Sequence, residues 1–153
     1  MIGIEQHQDR GVAEQLLAVQ LPAYRIEAEL IGFWDIPPLR DTAETMMASG
    51  ETFVGYRIEG ALAGFISYED EGDAIDICRM VVHPDYFRRG IARSLVDYVL
   101  EGAGKHKRVK VSTGAGNKPA IALYRSFGFA DAGEIEIAPE VRLALFELPS
   151  IRQ

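Results

Sequence analysis

The segment MVVHPDYFRRGIARSLV, residues 80–96, holds the residue types and spacing best suited to chemistry. A strand-like run leads into a turn, and Arg88-Arg89-Gly90-Ile91-Ala92 then opens a helix. The first amide N–H groups of a helix lack intrahelical acceptors, so together with the helix dipole they form an anion site. Gly90 and Ala92 are small enough for a phosphate to come near the main chain, and Arg88, Arg89 and Arg93 add positive charge. The same residues also suit a plain helix start with solvated arginines. No G-K-[ST] follows, so this is not a P-loop.

A second segment, NKPAIALYRSFGF (117–129), pairs a capping residue with a helix face. Asn117 suits an N-cap, Pro119 is tolerated in the first turn, and Ala120, Leu123, Tyr124 and Phe127 share one side. Gly128 suits the helix end. Tyr124 reads equally as one more core aromatic. The remaining reactive types are dispersed. His83 lies in a turn before Pro84-Asp85, His106 sits in the basic stretch Lys105–Lys110, and Cys78 has no recognisable partner base. Three histidines and one cysteine give no metal-ligand spacing. Gly114-Ala115-Gly116, with Glu134 twenty residues beyond Gly114, superficially suggests a dinucleotide fingerprint, but Pro119 occupies the third glycine's place.

The elements that must position these residues follow from periodicity. Residues 1–6 alternate like a strand, and a helix over 10–21 places Val12, Leu16 and Val19 on one face until Pro22 ends it. Pro37-Pro38 marks a loop, and Asp41 with Glu44 resembles a capping box for a helix over 42–49. ETFVGYRIEG, ALAGFISYED and DAIDICRMVVH read as three antiparallel strands. A helix from Arg89 to Ala103, a strand RVKVST (108–113), the Asn117 helix and two final strands complete a mixed α/β sandwich around one sheet.

Composition agrees. The chain of 153 residues suits one domain with its own core, and 48% apolar with 25% charged residues is an ordinary globular mixture. Sixteen basic against 23 acidic residues give a net charge of −7, which argues against non-specific nucleic-acid binding. One cysteine excludes an internal disulfide and a multi-cysteine zinc site. Short apolar stretches and the opening MIGIEQHQDR lead us to expect a cytoplasmic protein with no membrane span or signal peptide.

Taken together, the two segments resemble a known family. Arg88-Arg89-Gly90-Ile91-Ala92 is similar to the acetyl-coenzyme-A loop of the GCN5-related N-acetyltransferase (GNAT) superfamily. Asn117, Ala120, Leu123-Tyr124 and Gly128-Phe129 resemble its following N-x-x-A-x-x-L-Y-x-x-x-G-F signature, and the match spans about residues 76–129. One departure is Phe87, where the family usually has Gln or Arg; because backbone N–H groups hold the pyrophosphate there, altered packing is expected rather than lost binding.

The resemblance implies a mostly antiparallel, twisted sheet of six or seven strands flanked by about four helices. It implies direct transfer of an acetyl group from acetyl-CoA to an amine, without a metal. The strand Arg79–Val82, through Met80, Val81 and Val82, would then bind the pantetheine arm and offer a main-chain N–H near the thioester oxygen, and Arg88, Arg89, Gly90, Ile91, Ala92 and Arg93 would hold the pyrophosphate. Asn117 would contact the cofactor arm or cap its helix, and Tyr124 would protonate the leaving sulfur. Asp76 falls at the offset of the general base in histone-acetylating relatives, and as the shorter acid it would act through water. Glu27, Glu29 and Asp35 are further base candidates, on a segment that with Tyr24, Phe33 and Trp34 would wall the acceptor site. The expected acceptor is a small amine, an amino acid or a peptide, and the acidic surface favours a cationic one. The rival readings are a non-catalytic acyl-CoA-binding regulator and an interaction module. The fold's exposed strand edges would also suit a homodimer.

Overall fold

The computed structural model describes residues 1–150. Seven strands form one sheet: β1 (Ile2–Ile4), β2 (Thr52–Ile58), β3 (Ala61–Asp70), β4 (Ala74–Val82), β5 (Arg108–Gly114), β6 (Ala130–Ala138) and β7 (Val141–Leu148). Their order is β1-β2-β3-β4-β5-β7-β6, and every neighbouring pair is antiparallel except the parallel β4–β5. Four helices flank the sheet: α1 (Arg10–Ile31), α2 (Ala43–Ala48), α3 (Ile91–Glu101) and α4 (Lys118–Ser126). This is the mixed architecture the residue pattern implies.

The central strands bury both faces, so successive residues serve opposite cores. Phe53, Phe65 and Val81 pack with Leu16 and Val19 of α1 and Met46 of α2. Their neighbours Val54 and Ile66 join Ile75, Leu95, Val99 and Tyr124 in the core on the other face. Each strand thus clamps two helical layers together.

Two features depart from the sequence expectation. Helix α1 does not stop at Pro22 but continues through it to Ile31 and ends on Gly32 in a left-handed cap, whose N–H reaches the Ala28 and Glu29 carbonyls. A proline inside a helix removes one backbone hydrogen bond. Tertiary packing compensates, because buried positions lie on both sides of it, at Val19 and Gln20 before and at Ala28 after. The capping box of α2 is formed by Thr42 and Thr45 rather than Asp41 and Glu44. Asp41 is occupied elsewhere: its carboxylate accepts from the Gln20 amide and the Arg79 guanidinium, each at 2.7 Å.

The placement of β4 matters most for function. It pairs with β5 only over Ala74–Ile77 against Arg108–Val111. Beyond these residues β4 stays beside β3 to Val82, while β5 follows β7 to Gly114. The two parallel strands therefore part and leave a slot in the middle of the sheet. A bulge opposite Ser67 and Tyr68 leaves Cys78 as the extra residue of β4 at the point of parting.

Candidate active site

The slot opens into a cleft of about 580 Å³. Its floor is β4 from Ile77 to Val82 and β5 from Val111 to Thr113, and α1, the α3 start and α4 form its sides. Met80, Val81, Val82, Arg88, Gly90, Ile91, Ala92, Arg93, Asn117 and Tyr124 all line it. Arg89 and Asp76 do not belong to that lining.

One end of the cleft gathers free helix amides and positive charge. Gly90 caps α3 in the left-handed region, at φ +75°, and offers no side-chain oxygen to the amides that follow. The free N–H groups of the first turn are thus unshielded. Arg88 also has a positive φ of 66°, costly for a residue with a Cβ, and that turns the chain sharply before the helix. Its guanidinium makes no hydrogen bond or ion pair among the described residues. Arg93 is anchored, donating to the Ser126 hydroxyl at 2.9 Å and lying 5.1 Å from the Phe127 ring centre. Arg89 stacks 5.3 Å from the Tyr86 ring centre. Phe87, in the family's polar loop position, is 44% exposed and lines the cleft.

At the other end, α4 brings Tyr124 and Asn117 beside α1. Tyr124 is 3% exposed, with Phe129 and Phe146 against its ring. Burial, and then the nearby Glu27 charge, push its phenol well above the ordinary tyrosine range, so it keeps its proton at neutral pH. Asn117 does two things at once. Its Oδ1 accepts from the Ala120 amide as the helix cap, and its Nδ2 donates to Glu27 Oε1 at 2.7 Å. Thr113 Oγ1 approaches the same oxygen at 3.5 Å. Burial raises the Glu27 pKa, and the hydrogen bonds from Asn117 and Thr113 only partly offset it. Glu29 and Asp35, its companions as candidates, are exposed, and Asp35 pairs with Arg40.

Arg79 begins the strand segment that the resemblance assigns to the pantetheine arm, and its side chain, which no motif marks, forms the cleft's third polar feature. Its guanidinium donates to Gln20 Oε1 at 2.8 Å, to Asp41 Oδ2 at 2.7 Å and to both oxygens of Glu51 at 3.0 and 3.1 Å. Ser67 and Ser49 also donate to Glu51, at 2.5 and 3.0 Å. Burial alone would raise Glu51, but the Arg79 and Ser67 hydrogen bonds prevail and hold it below the usual carboxylate range. The network ties α1, β3 and the segments on either side of α2 to β4. A signal for it existed: Gln20, Tyr24 and Glu27 recur at helical spacing, but Pro22 hides their common helix from a periodicity reading.

Asp76 lies next to this network. Burial, together with Glu71, Glu69 and Glu51, raises its pKa despite Lys110. At Cys78, burial and the charges of Glu51, Asp76 and Glu69 push the thiol up to about 12, unsuited to a nucleophile at neutral pH. Donor atoms of Glu51, Glu69 and Cys78 come within 4.8 Å of one another, although Arg79 already engages both Glu51 oxygens. His83 caps a 3-10 turn by accepting from the Asp85 amide at 3.1 Å. In the basic stretch, Lys107, Arg108 and Lys110 pair with Asp70, Glu147 and Glu71.

The acetyltransferase (GNAT) family model matches residues 21–129, well over half of the chain. The chain belongs to this family. It is 43% identical over 148 residues to the UPF0157 protein YqkA of Bacillus subtilis, covering 97% of this chain and 43% of that protein. It is 30% identical over 87 residues to the [ribosomal protein bS18]-alanine N-acetyltransferase of Escherichia coli, covering 54% of this chain and 59% of the relative. The chain thus spans about half the length of the curated relatives it matches. The fold matches that of yncA from Salmonella typhimurium, a putative acetyltransferase solved with acetyl-CoA, at TM-score 0.74 and 16% identity over 100% of this chain and 95% of that one. Among the described residues, no helix is long and apolar enough to cross a membrane.

Proposed function

We propose that this chain transfers an acetyl group from acetyl-CoA directly to the amino group of a small amine, an amino acid or a peptide. One observation carries the reading. A single cleft joins an unshielded helix start, through a slot between parted strands, to a buried tyrosine that keeps its proton. Its parts fit an elongated thioester with an anionic end. Acetyl-CoA supplies the activated acyl group.

The α3 amides from Ile91, with Gly90, Ala92, Arg88 and Arg93, receive the pyrophosphate. Arg89 adds charge nearby while braced on Tyr86. Met80, Val81 and Val82 present a strand edge to which β5 makes no hydrogen bond, and that edge takes the amide-bearing arm. An N–H of the same edge stabilises the developing oxyanion, the term on which acyl transfer most depends. Asn117 holds the arm near the α4 start. Tyr124 gives its proton to the departing sulfur. Asp76 stands outside the cleft lining, so direct contact with the acceptor's proton is not open to it.

The test is release of free CoA thiol from acetyl-CoA against polyamines, amino acids, peptides with free α- or ε-amines, and aminoglycosides. The alanine amine in the name of the E. coli relative puts α-amino peptides first. Turnover confined to one class establishes the activity and identifies the acceptor. Acetyl-CoA binding without turnover of any amine supports a regulator instead.

A further inference from the structure

Glu27 is the only carboxylate among the described residues that line the cleft; the charged groups beside it there are Arg79, Arg88 and Arg93. Its position is tightly specified. A Cβ added at Gly114 would lie 2.4 Å from Ile31 Cγ2, and one at Gly116 would lie 3.2 Å from the Leu30 carbonyl oxygen. Only glycines let the last turn of α1 sit so close to the β5–α4 turn. That close approach puts Glu27, one turn earlier, against Asn117 and Thr113. Both contacts reach Oε1, and Oε2 has no hydrogen-bond partner among the described residues. One oxygen is thus held while the other is left to act.

We propose that Glu27 is the base that takes the acceptor amine's proton, working opposite Tyr124 in the same cleft. The inference rests on the acetyltransferase reading. The acceptor nitrogen forms its bond to the acyl carbon and gives a proton to Glu27 Oε2. The carbon–sulfur bond breaks and Tyr124 protonates the sulfur. The proton held by Glu27 then returns to the Tyr124 oxygen through water, which resets both groups. The net change moves one proton from nitrogen to sulfur, and no other reactant is needed. The titratable and charged groups sharing the cleft are Tyr24 on α1, Cys78 and Arg79 on β4, Tyr86 in the turn before α3, Arg88 and Arg93 at α3, and Tyr124 on α4.

Glu27→Gln separates this role from that of a clamp, because glutamine keeps an acceptor for Asn117 and Thr113 but cannot take a proton. The measurements are kcat and KM across pH for the best acceptor, and the slow release of thiol to water at high enzyme concentration. Expected is a fall of about a hundredfold or more in kcat, with the acidic limb of the wild-type profile flattened, water-dependent release also reduced, and acetyl-CoA affinity kept. The wild-type limb should lie above the ordinary carboxylate range, since the raised Glu27 loses its proton only at higher pH. A Glu27→Gln enzyme within threefold of wild type overturns the inference alone. So does an Asp76→Asn enzyme that loses the limb while Glu27→Gln keeps it. A wild-type chain that releases thiol to neither amine nor water overturns the acetyltransferase reading and the inference with it.

Discussion

Tyr124 and Glu27 share one environment, and burial moves both in the same direction for opposite uses. A buried phenol is harder to ionise and so holds the proton that the proposed reaction would draw on. A half-buried carboxylate such as Glu27 is harder to ionise and so becomes a stronger base. Tyr124→Phe keeps the ring packed between Phe129 and Phe146 and removes only the hydroxyl. We expect kcat to fall about a hundredfold, while acetyl-CoA affinity by calorimetry stays within threefold. An unchanged kcat would make Tyr124 a packing residue. Arg79 shows how a residue with no motif can matter as much. It is half-buried with four acceptor oxygens around it, and losing it would leave the Glu51 and Asp41 charges without their partner.

Helix α1 is the element whose length decides the site. A helix ending at Pro22 would leave Tyr24 and Glu27 in a loop, and the α1 side of the cleft would have no fixed wall. Its extension to Ile31 is docked at Gly114 and Gly116, the glycines that imitate a dinucleotide motif in the sequence. Their part here is close packing. Gly114→Ala places a methyl against Ile31 and must push the last turn of α1 outward. The expected cost is about 1–3 kcal/mol, measured by denaturant unfolding. The Glu27–Asn117 hydrogen bond should weaken with it, lowering kcat more than acetyl-CoA affinity. A variant with wild-type stability would show that Ile31 turns aside at little cost.

Across the whole molecule, the sheet separates two cores and the cleft is the gap where it is not continuous. A ligand filling that gap bridges β4, β5, α3 and α4, elements the sheet alone leaves partly independent. Acetyl-CoA at a hundred times its Kd should stabilise the chain by about 2.7 kcal/mol, which for a domain of this size is roughly 5–11 °C in Tm. Desulfo-CoA, which keeps the pyrophosphate, should give most of that shift. No shift with either would exclude the cleft as a coenzyme-A site. At the far edge of the sheet β6 pairs only with β7, and Ile135 and Ile137 are exposed on it.

Local chemistry in the sequence was enough for the element types, the strand-to-helix turn at Arg88–Ala92, the cap at Asn117 and the position of Tyr124. Each of these depends on spacing within a few residues, through capping, periodicity or a glycine at positive φ. What the sequence could not show were contacts between distant segments. The passage of α1 through Pro22 required burial on both sides of the proline. Asp41 left its expected capping role because Gln20 and Arg79 compete for its carboxylate across the fold. Among the acids, Asp76 stood out through its offset from the glycine loop, yet Glu27 is the one inside the cleft. A carboxylate's neighbours and its hydration set its chemistry, and for Glu27 they come from Thr113 and Asn117, 86 and 90 residues away along the chain. Only the folded packing of α1 against the β5–α4 turn brings them together.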